Sequence, residues 1–269
     1  MHSTRILVTG ASSGIGALTA CKLAERGYVV FGAARSVDAI ARLDGVTPIA
    51  LDLSDEESIR TAAARIGRID ALINCAGYGE FGSVEETPLA DARAQLEVNV
   101  IGAIGLIQAV LPGMREAGRG RIVNVSSLAG EFAAPLGGWY HASKFALEAL
   151  SDSLRGEVAR FGIDVTLVQP GYVATDWHDL AMNRLERTSA RGPYASMAAA
   201  MRRYFAGPTV SKQMSDPGAV ADLVIKAALV ARPKTRYRIG PGAGLAVFLA
   251  TVLPDRAFDA LTRKQFGYA

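Results

Sequence analysis

Short apolar runs rich in Val and Ile alternate along this chain with longer segments of helical period, and that alternation restricts the fold more than any other feature. The runs stand at residues 6–9, 28–33, 47–51, 71–74, 121–125, 164–168 and, more briefly, 236–239. Several are apolar on nearly every residue, which leaves no face for solvent, so helices must cover them above and below. Strand, crossover helix and strand repeated in this way build a parallel sheet. The expected fold is α/β, a doubly wound parallel sheet of about seven strands with helices on both faces.

Local signals mark where helices begin and stop. Ser54-Asp55-Glu56-Glu57 has the spacing of a capping box, with the serine accepting from an early helix amide and Glu57 reaching back. Asp216-Pro217 is an N-cap followed by proline at the first helical position, and Gly27 lies where the first helix should stop. Two long helices are expected at 90–114 and 140–161. With 269 residues, no internal repeat and no linker-like tract, the chain reads as one domain over 1–269.

Composition removes several classes of function. The formal net charge is only +3 and the basic residues are scattered, so no track for nucleic acid is expected. Two cysteines, Cys21 and Cys75, are too few for a disulfide framework and are expected as small buried apolar groups. Three histidines without a recognisable acidic partner give neither a metal site nor a hydrolytic triad, and His141 is read as packing or surface. The longest apolar stretch, 243–253, is shorter than the roughly 20 residues that a spanning helix needs. It is expected to pack in a core or touch a lipid interface, giving at most weak membrane association. A strand begins almost at once at residue 6 with no apolar leader before it, so a cytoplasmic location is expected.

The first strand leads directly into Thr9-Gly10-Ala11-Ser12-Ser13-Gly14-Ile15-Gly16, and a helix follows. Glycines there permit a tight turn, close approach of backbone to a phosphate, and close packing of helix on strand. A pyrophosphate would then sit over free amides at the positive end of the helix. This is the dinucleotide-binding form of the doubly wound sheet, a Rossmann-like architecture. An acid closing the second strand would bind the ribose 2′-hydroxyl of NAD and repel a 2′-phosphate. That acid is missing: the strand is followed by Ala34, Arg35 and Ser36. A guanidinium at Arg35 can hold a phosphate bidentately, with hydroxyls from Ser13 and Ser36 nearby, which favours NADP(H); the alternative is an ordinary surface arginine.

Tyr140-His141-Ala142-Ser143-Lys144 places a tyrosine and a lysine four apart, on one face of a helix. A free phenol titrates near pH ~10. A neighbouring ammonium favours the phenolate, so Lys144 is expected to draw the Tyr140 value down and fit it for acid–base work.

The loop spacing G-x-x-x-G-x-G together with this Tyr-x-x-x-Lys pair resembles the short-chain dehydrogenase/reductase family in its shorter branch, from residue 6 to about 175. The resemblance implies an oxidoreductase that moves hydride between a nicotinamide cofactor and an alcohol or carbonyl. It implies Ser127, thirteen residues before Tyr140, as the hydroxyl on the substrate oxygen, with Ser126 the less favoured candidate. Asn99 resembles the family's fourth active-site member, acting through its backbone carbonyl. For the cofactor, the resemblance adds Asp52 and Leu53 at the adenine. It also adds Asn74, Ala76 and Gly77 (with Cys75 replacing the family's second asparagine) at the adenosine side. Pro170, Gly171, Val173 and Thr175 would cover the nicotinamide.

The same resemblance places a substrate lid at about 176–215 and a C-terminal extension at about 241–269. Trp177, Met182, Leu185, Tyr194, Met197, Met201, Tyr204 and Phe205 suit a hydrophobic pocket, or else helix core or an oligomer contact. Residues 131–139 are expected to form a second wall. Substrates of steroid, retinol or other lipid type are implied, in a homodimer or homotetramer built on the two long helices. The open alternatives are a cofactor-sensing protein without turnover and a 3-oxoacyl-type reductase.

Overall fold

A computed structural model describes residues 4–268. Its centre is a sheet of seven parallel strands in the order β3-β2-β1-β4-β5-β6-β7. The strands are β1 (Arg5–Thr9), β2 (Val29–Ala34), β3 (Val46–Ala50), β4 (Ala71–Asn74), β5 (Gly120–Val125), β6 (Ile163–Pro170) and β7 (Arg236–Ile239). Each expected strand is present, displaced at its ends by a residue or two. The strand order reverses between β1 and β4, the place where a doubly wound sheet opens a crevice at its C-terminal edge.

Residues of one strand alternate between two cores, as the pleat requires. Leu7 and Leu72 face a layer made by α3 (Glu56–Ile66), α4 (Leu89–Leu96), α5 (Gly102–Glu116) and α6 (Gly138–Val158). Ile6, Val8 and Ile73 face a layer made by α1 (Gly14–Glu25), α2 (Val37–Ile40) and α10 (Pro217–Leu229). A third apolar cluster lies beyond the C-terminal edge of the sheet. It joins α7 (Trp177–Ser189) and α8 (Ala195–Phe205) to Phe81, Tyr140 and the far end of the chain. Three further helices, α9 (Pro208–Gln213), α11 (Ala243–Val252) and α12 (Asp255–Phe266), complete the lid and the C-terminal arm.

Caps explain most boundaries, and one expectation fails. Asp216 accepts from the amide of Ala219 at 2.8 Å with Pro217 at the first helical position, and Gly27 takes φ +82 just past α1. The serine-based capping box does not form. Asp55 is the N-cap of α3, accepting from Glu57 N at 2.9 Å, while the Ser54 hydroxyl donates to Asp52 Oδ1 at 2.7 Å. An aspartate is at least as good a cap as serine, so the helix starts one residue later. Cys21 and Cys75 are both partly buried; Cys75 packs against the core at the cavity floor, and burial pushes its thiol up to about 12.

The long helix expected at 90–114 is a continuous helical run from Leu89 to Glu116, interrupted by a π turn at Glu97–Ile101. Its length and mean hydropathy of 1.6 would let it cross a membrane on composition alone. In this fold Leu106, Ile107, Val110 and Met114 are buried on the sheet instead.

Candidate active site

A cavity of about 1650 Å³ runs along the C-terminal edge of the sheet, from the loop after β1 to the lid and the arm. At one end the loop after β1 opens the first turn of α1 to the cavity. Ser13 stands at the N-cap with no side-chain bond to the helix, so the early amides remain available to an anion. Gly10 adopts φ +67 and lies so close to the exit of β4 that a Cβ would come within 2.9 Å of Ala76 N. A Cβ on Gly16 would come within 2.3 Å of the Gly10 carbonyl oxygen. The loop is therefore a tightly closed cradle that only these glycines permit. Thr9 fastens it, its hydroxyl accepting from the amides of Cys75 and Ala76 at 3.1 Å each.

Arg35 and Ser36 follow β2 at the cavity wall, both exposed, and Asp52 follows β3. Ser54 donates to Asp52 through both amide and hydroxyl, which holds its carboxyl below the usual range; Asp52 is thus also the turn residue that leads into α3. Ser12, Ile15, Leu53, Ala76, Gly77, Pro170, Gly171, Val173 and Thr175 line the same space. Asn74 does not. Its side chain donates to Asn124 Oδ1 at 3.0 Å beneath the cavity floor, and Asn124 donates on to Ser151 at 2.8 Å.

Midway along the cavity, the first turns of α6 present Tyr140 and Lys144, 8% and 6% exposed. Ser127 faces Tyr140 from the turn after β5, its oxygen also accepting from Ala129 N at 3.1 Å. Ser126 is buried with its hydroxyl unpartnered. Lys144 Nζ donates to the Val125 carbonyl at 3.0 Å and lies 6.0 Å from the centre of the Tyr140 ring.

The expected increase in Tyr140 acidity is not found. Burial pushes the phenol up to about 12, against an opposing hydrogen bond from Ser127. Burial likewise brings Lys144 down to about 8, opposed by the carboxylate of Glu148 and the thiol of Cys75. Each group resists charge in a dry site, where desolvation is the largest influence on both.

Asn99 sits in the π turn, buried, and clamps the segment after β4. Its Oδ1 accepts from Tyr78 N at 3.1 Å, and its Nδ2 donates to Tyr78 O at 2.8 Å and to Ser143 Oγ at 3.1 Å. The side chain is fully engaged and does not line the cavity. His141 is also structural: its Nδ1 meets the carbonyls of Ala129 and Phe132 at 3.1 and 2.7 Å, and burial lowers its basicity.

Past Tyr140 the cavity is mainly aromatic and aliphatic, with Arg184, His178 and Gln265 among its polar lining. Trp177 and Phe81 pack on the Tyr140 ring at 5.0 and 5.7 Å, and Met201, Tyr204 and Phe205 line the wall from α8. Met182 and Leu185 are instead lid core. In the wall at 131–139, Phe132 and Pro135 line the cavity, while Leu136 is held at φ +61 with its carbonyl accepting from Gly82 N at 2.8 Å. A bulky residue rarely occupies that region without a surrounding structure to hold it. The sequence did not point to Tyr78, Phe81, Tyr172 and His178, nor to Leu249, Phe258 and Phe266 of the arm, all of which line the cavity. The one available signal for the arm was the unassigned apolar run at 243–253.

Comparison with known proteins matches residues 4–184 to the family described as short chain dehydrogenase. Among relatives, the chain is 40% identical to a 3-ketodihydrosphingosine reductase of Bacteroides thetaiotaomicron, over 72% of this chain and 73% of that protein. Among solved structures, it superposes on a short-chain dehydrogenase from Streptomyces avermitilis with a TM-score of 0.80 and 34% identity, covering 97% and 96% of the two chains. It superposes on a short-chain dehydrogenase from Burkholderia cenocepacia in complex with NADP with a TM-score of 0.77 and 25% identity, covering 98% of each.

Proposed function

The chain belongs to the short-chain dehydrogenase family, and from that premise we propose that this oxidoreductase interconverts a hydrophobic ketone or aldehyde and its alcohol using NADP(H). The observation that carries the reading is the convergence of Tyr140, Lys144 and Ser127 on one cavity whose other end is the phosphate-cradling loop. A nicotinamide bound along that groove supplies or accepts the hydride.

The protein's own groups do the rest. Ser127 donates to the substrate oxygen and holds it against Tyr140 as charge develops there. In reduction the Tyr140 hydroxyl gives its proton to that oxygen, and in oxidation it takes it back. A phenol kept neutral by burial is poised as the donor. Lys144 brings positive charge to the site, which favours the phenolate once the proton has left. Asn99 sits in the π turn, and by resemblance to the family its backbone carbonyl would hold a water that leads protons toward Lys144.

Cofactor choice follows from Arg35, exposed after β2 where an acid would select NAD. The neighbour crystallised with NADP supports this reading. Hydrophobic substrates follow from the aromatic and aliphatic walls past Tyr140, and a reductase acting on a sphingoid ketone among the relatives agrees. Exposed Ile101, Phe145 and Leu150 on the helical run 89–116 and on α6 provide the apolar surface for a homodimer or homotetramer. A cytoplasmic setting, rich in NADPH and reducing toward its two free cysteines, fits the same function.

The deciding experiment follows NADPH absorbance over a panel of hydrophobic ketones and alcohols. Tyr140→Phe should keep NADPH binding, read by fluorescence, and lose about 10²–10⁴-fold in turnover. Undiminished turnover in that variant overturns the assignment.

A further inference from the structure

The arm that closes the cavity carries a second feature that substrate binding does not use. On α11, Leu245, Phe248 and Val252 fall at positions i, i+3 and i+7, one stripe of the helix, and are 61%, 59% and 53% exposed. The opposite side, Ala243 and Val247, is buried against the body. Leu245 also lines the mouth of the cavity, together with the exposed Leu180 of α7 and Leu261 of α12, so the apolar stripe continues the rim of the substrate compartment. Phe248 and Val252 lie outside the cavity and have no part in it.

Charge is distributed to match. Residues 176–213 and 241–268, the lid and the arm, hold nine Lys and Arg against five Asp and Glu. That excess is larger than the net charge of +3 of the whole chain, and the pairing of Arg184 and Arg187 with Glu80, outside both segments, reduces it without reversing its sign. On α12, Arg256, Arg263 and Lys264 are exposed, and none forms an ion pair among the described residues. A contiguous exposed apolar stripe flanked by unpaired cations is what a helix lying in an anionic lipid interface presents.

We propose that the stripe Leu245, Phe248 and Val252, flanked by Arg256, Arg263 and Lys264, docks the protein on an anionic lipid surface with the cavity mouth facing the acyl layer. At ten residues α11 spans about 15 Å, half the hydrocarbon thickness, so it lies in the plane of the interface and does not cross it. A hydrophobic substrate dissolved in that layer reaches Tyr140 along apolar wall without passing through water. The docking extends the hydrophobic-substrate reading, and its test measures no turnover, so either can fail alone.

The test is co-sedimentation of the full chain with vesicles of phosphatidylcholine alone or mixed with phosphatidylglycerol. The chain should sediment with the mixed vesicles and bind the neutral ones at least about tenfold more weakly, with binding lost in high salt. Phe248→Ser/Val252→Ser should lower partitioning at least about tenfold while NADPH binding is retained. Arg256→Gln/Arg263→Gln/Lys264→Gln should reduce binding to the mixed vesicles alone. A wild-type chain that stays in the supernatant with both vesicles overturns the proposal, as does a serine double variant that sediments like wild type. So does a double variant that turns a wild-type dimer into a monomer without any vesicle binding, which would give this face to a second copy of the chain.

Discussion

Tyr140 and Lys144 are two groups whose burial opposes charge in opposite directions on the pH scale, and the consequence is measurable in stability. Lys144 titrates near 8 in the fold against an ordinary 10.5, so between those values the unfolded chain holds the extra proton and stability rises with pH. Tyr140 titrates near 12 against an ordinary 10.0, so its contribution is complete below pH 10 and is lost as pH climbs through 12. Tyr140→Phe lacks that loss. Relative to this variant, wild type should weaken by about 1 kcal/mol between pH 9 and pH 11 in urea titrations, and parallel behaviour would show that the phenol is not desolvated. At Arg35, replacement by Ala should weaken NADPH binding by about tenfold or more and leave NADH binding nearly unchanged; equal losses would place 2′-phosphate recognition elsewhere. The pairing of Tyr140 with Lys144 was legible because spacing of four residues fixes a helical face. Their acidities were not, because a side chain's depth is set by what packs over it: here Phe81 and Trp177, with Phe205 packed behind Phe81, all distant in sequence.

Among elements, two helical glycines should respond in opposite ways to alanine. At Gly102, the first residue of α5 after the π turn, a Cβ would come within 1.9 Å of the Leu53 carbonyl oxygen, so Gly102→Ala should cost about 3 kcal/mol. At Gly156 in α6 nothing lies within 4 Å, and Gly156→Ala should gain about 0.5–1 kcal/mol. Thermal melts of both variants check the pair. The inner strands were readable because they are buried on both faces and so are apolar on nearly every residue, while the edge strands β3 and β7 carry exposed positions. Caps were readable where one residue type dominates, as at Asp216, and misread where Ser54 and Asp55 compete within one turn. The π turn left no trace, since inserting one residue into a helix barely disturbs an apolar pattern already wide at Val98, Val100 and Ile101. Lid and arm were harder still. Helices α7, α8 and α12 build a cluster of their own, and which of their apolar residues fill it and which line the cavity depends on how the helices are set together.

For the molecule as a whole, the proposed cofactor groove and substrate compartment are one cavity with separable walls. A chain ending at Gly240 keeps all seven strands and the glycine loop but loses Leu249, Phe258 and Phe266 from the cavity. It should bind NADPH as before while KM for hydrophobic substrates rises about tenfold or more, measured by fluorescence titration and steady-state kinetics. The sheet order carries a further consequence, for the birth of the protein. β1 ends as an inner strand, its Ile6, Leu7 and Val8 wholly buried, yet it pairs on one side with β4, so that Leu7 stands opposite Leu72. On the ribosome β1, β2 and β3 can assemble first, and β1 then waits with an open apolar edge until β4 has been made. From the end of β3 at Ala50 to the end of β4 at Asn74, that wait lasts roughly 1–5 s at ordinary synthesis rates. For those seconds a strand whose core is wholly enclosed in the finished molecule is its most adhesive one.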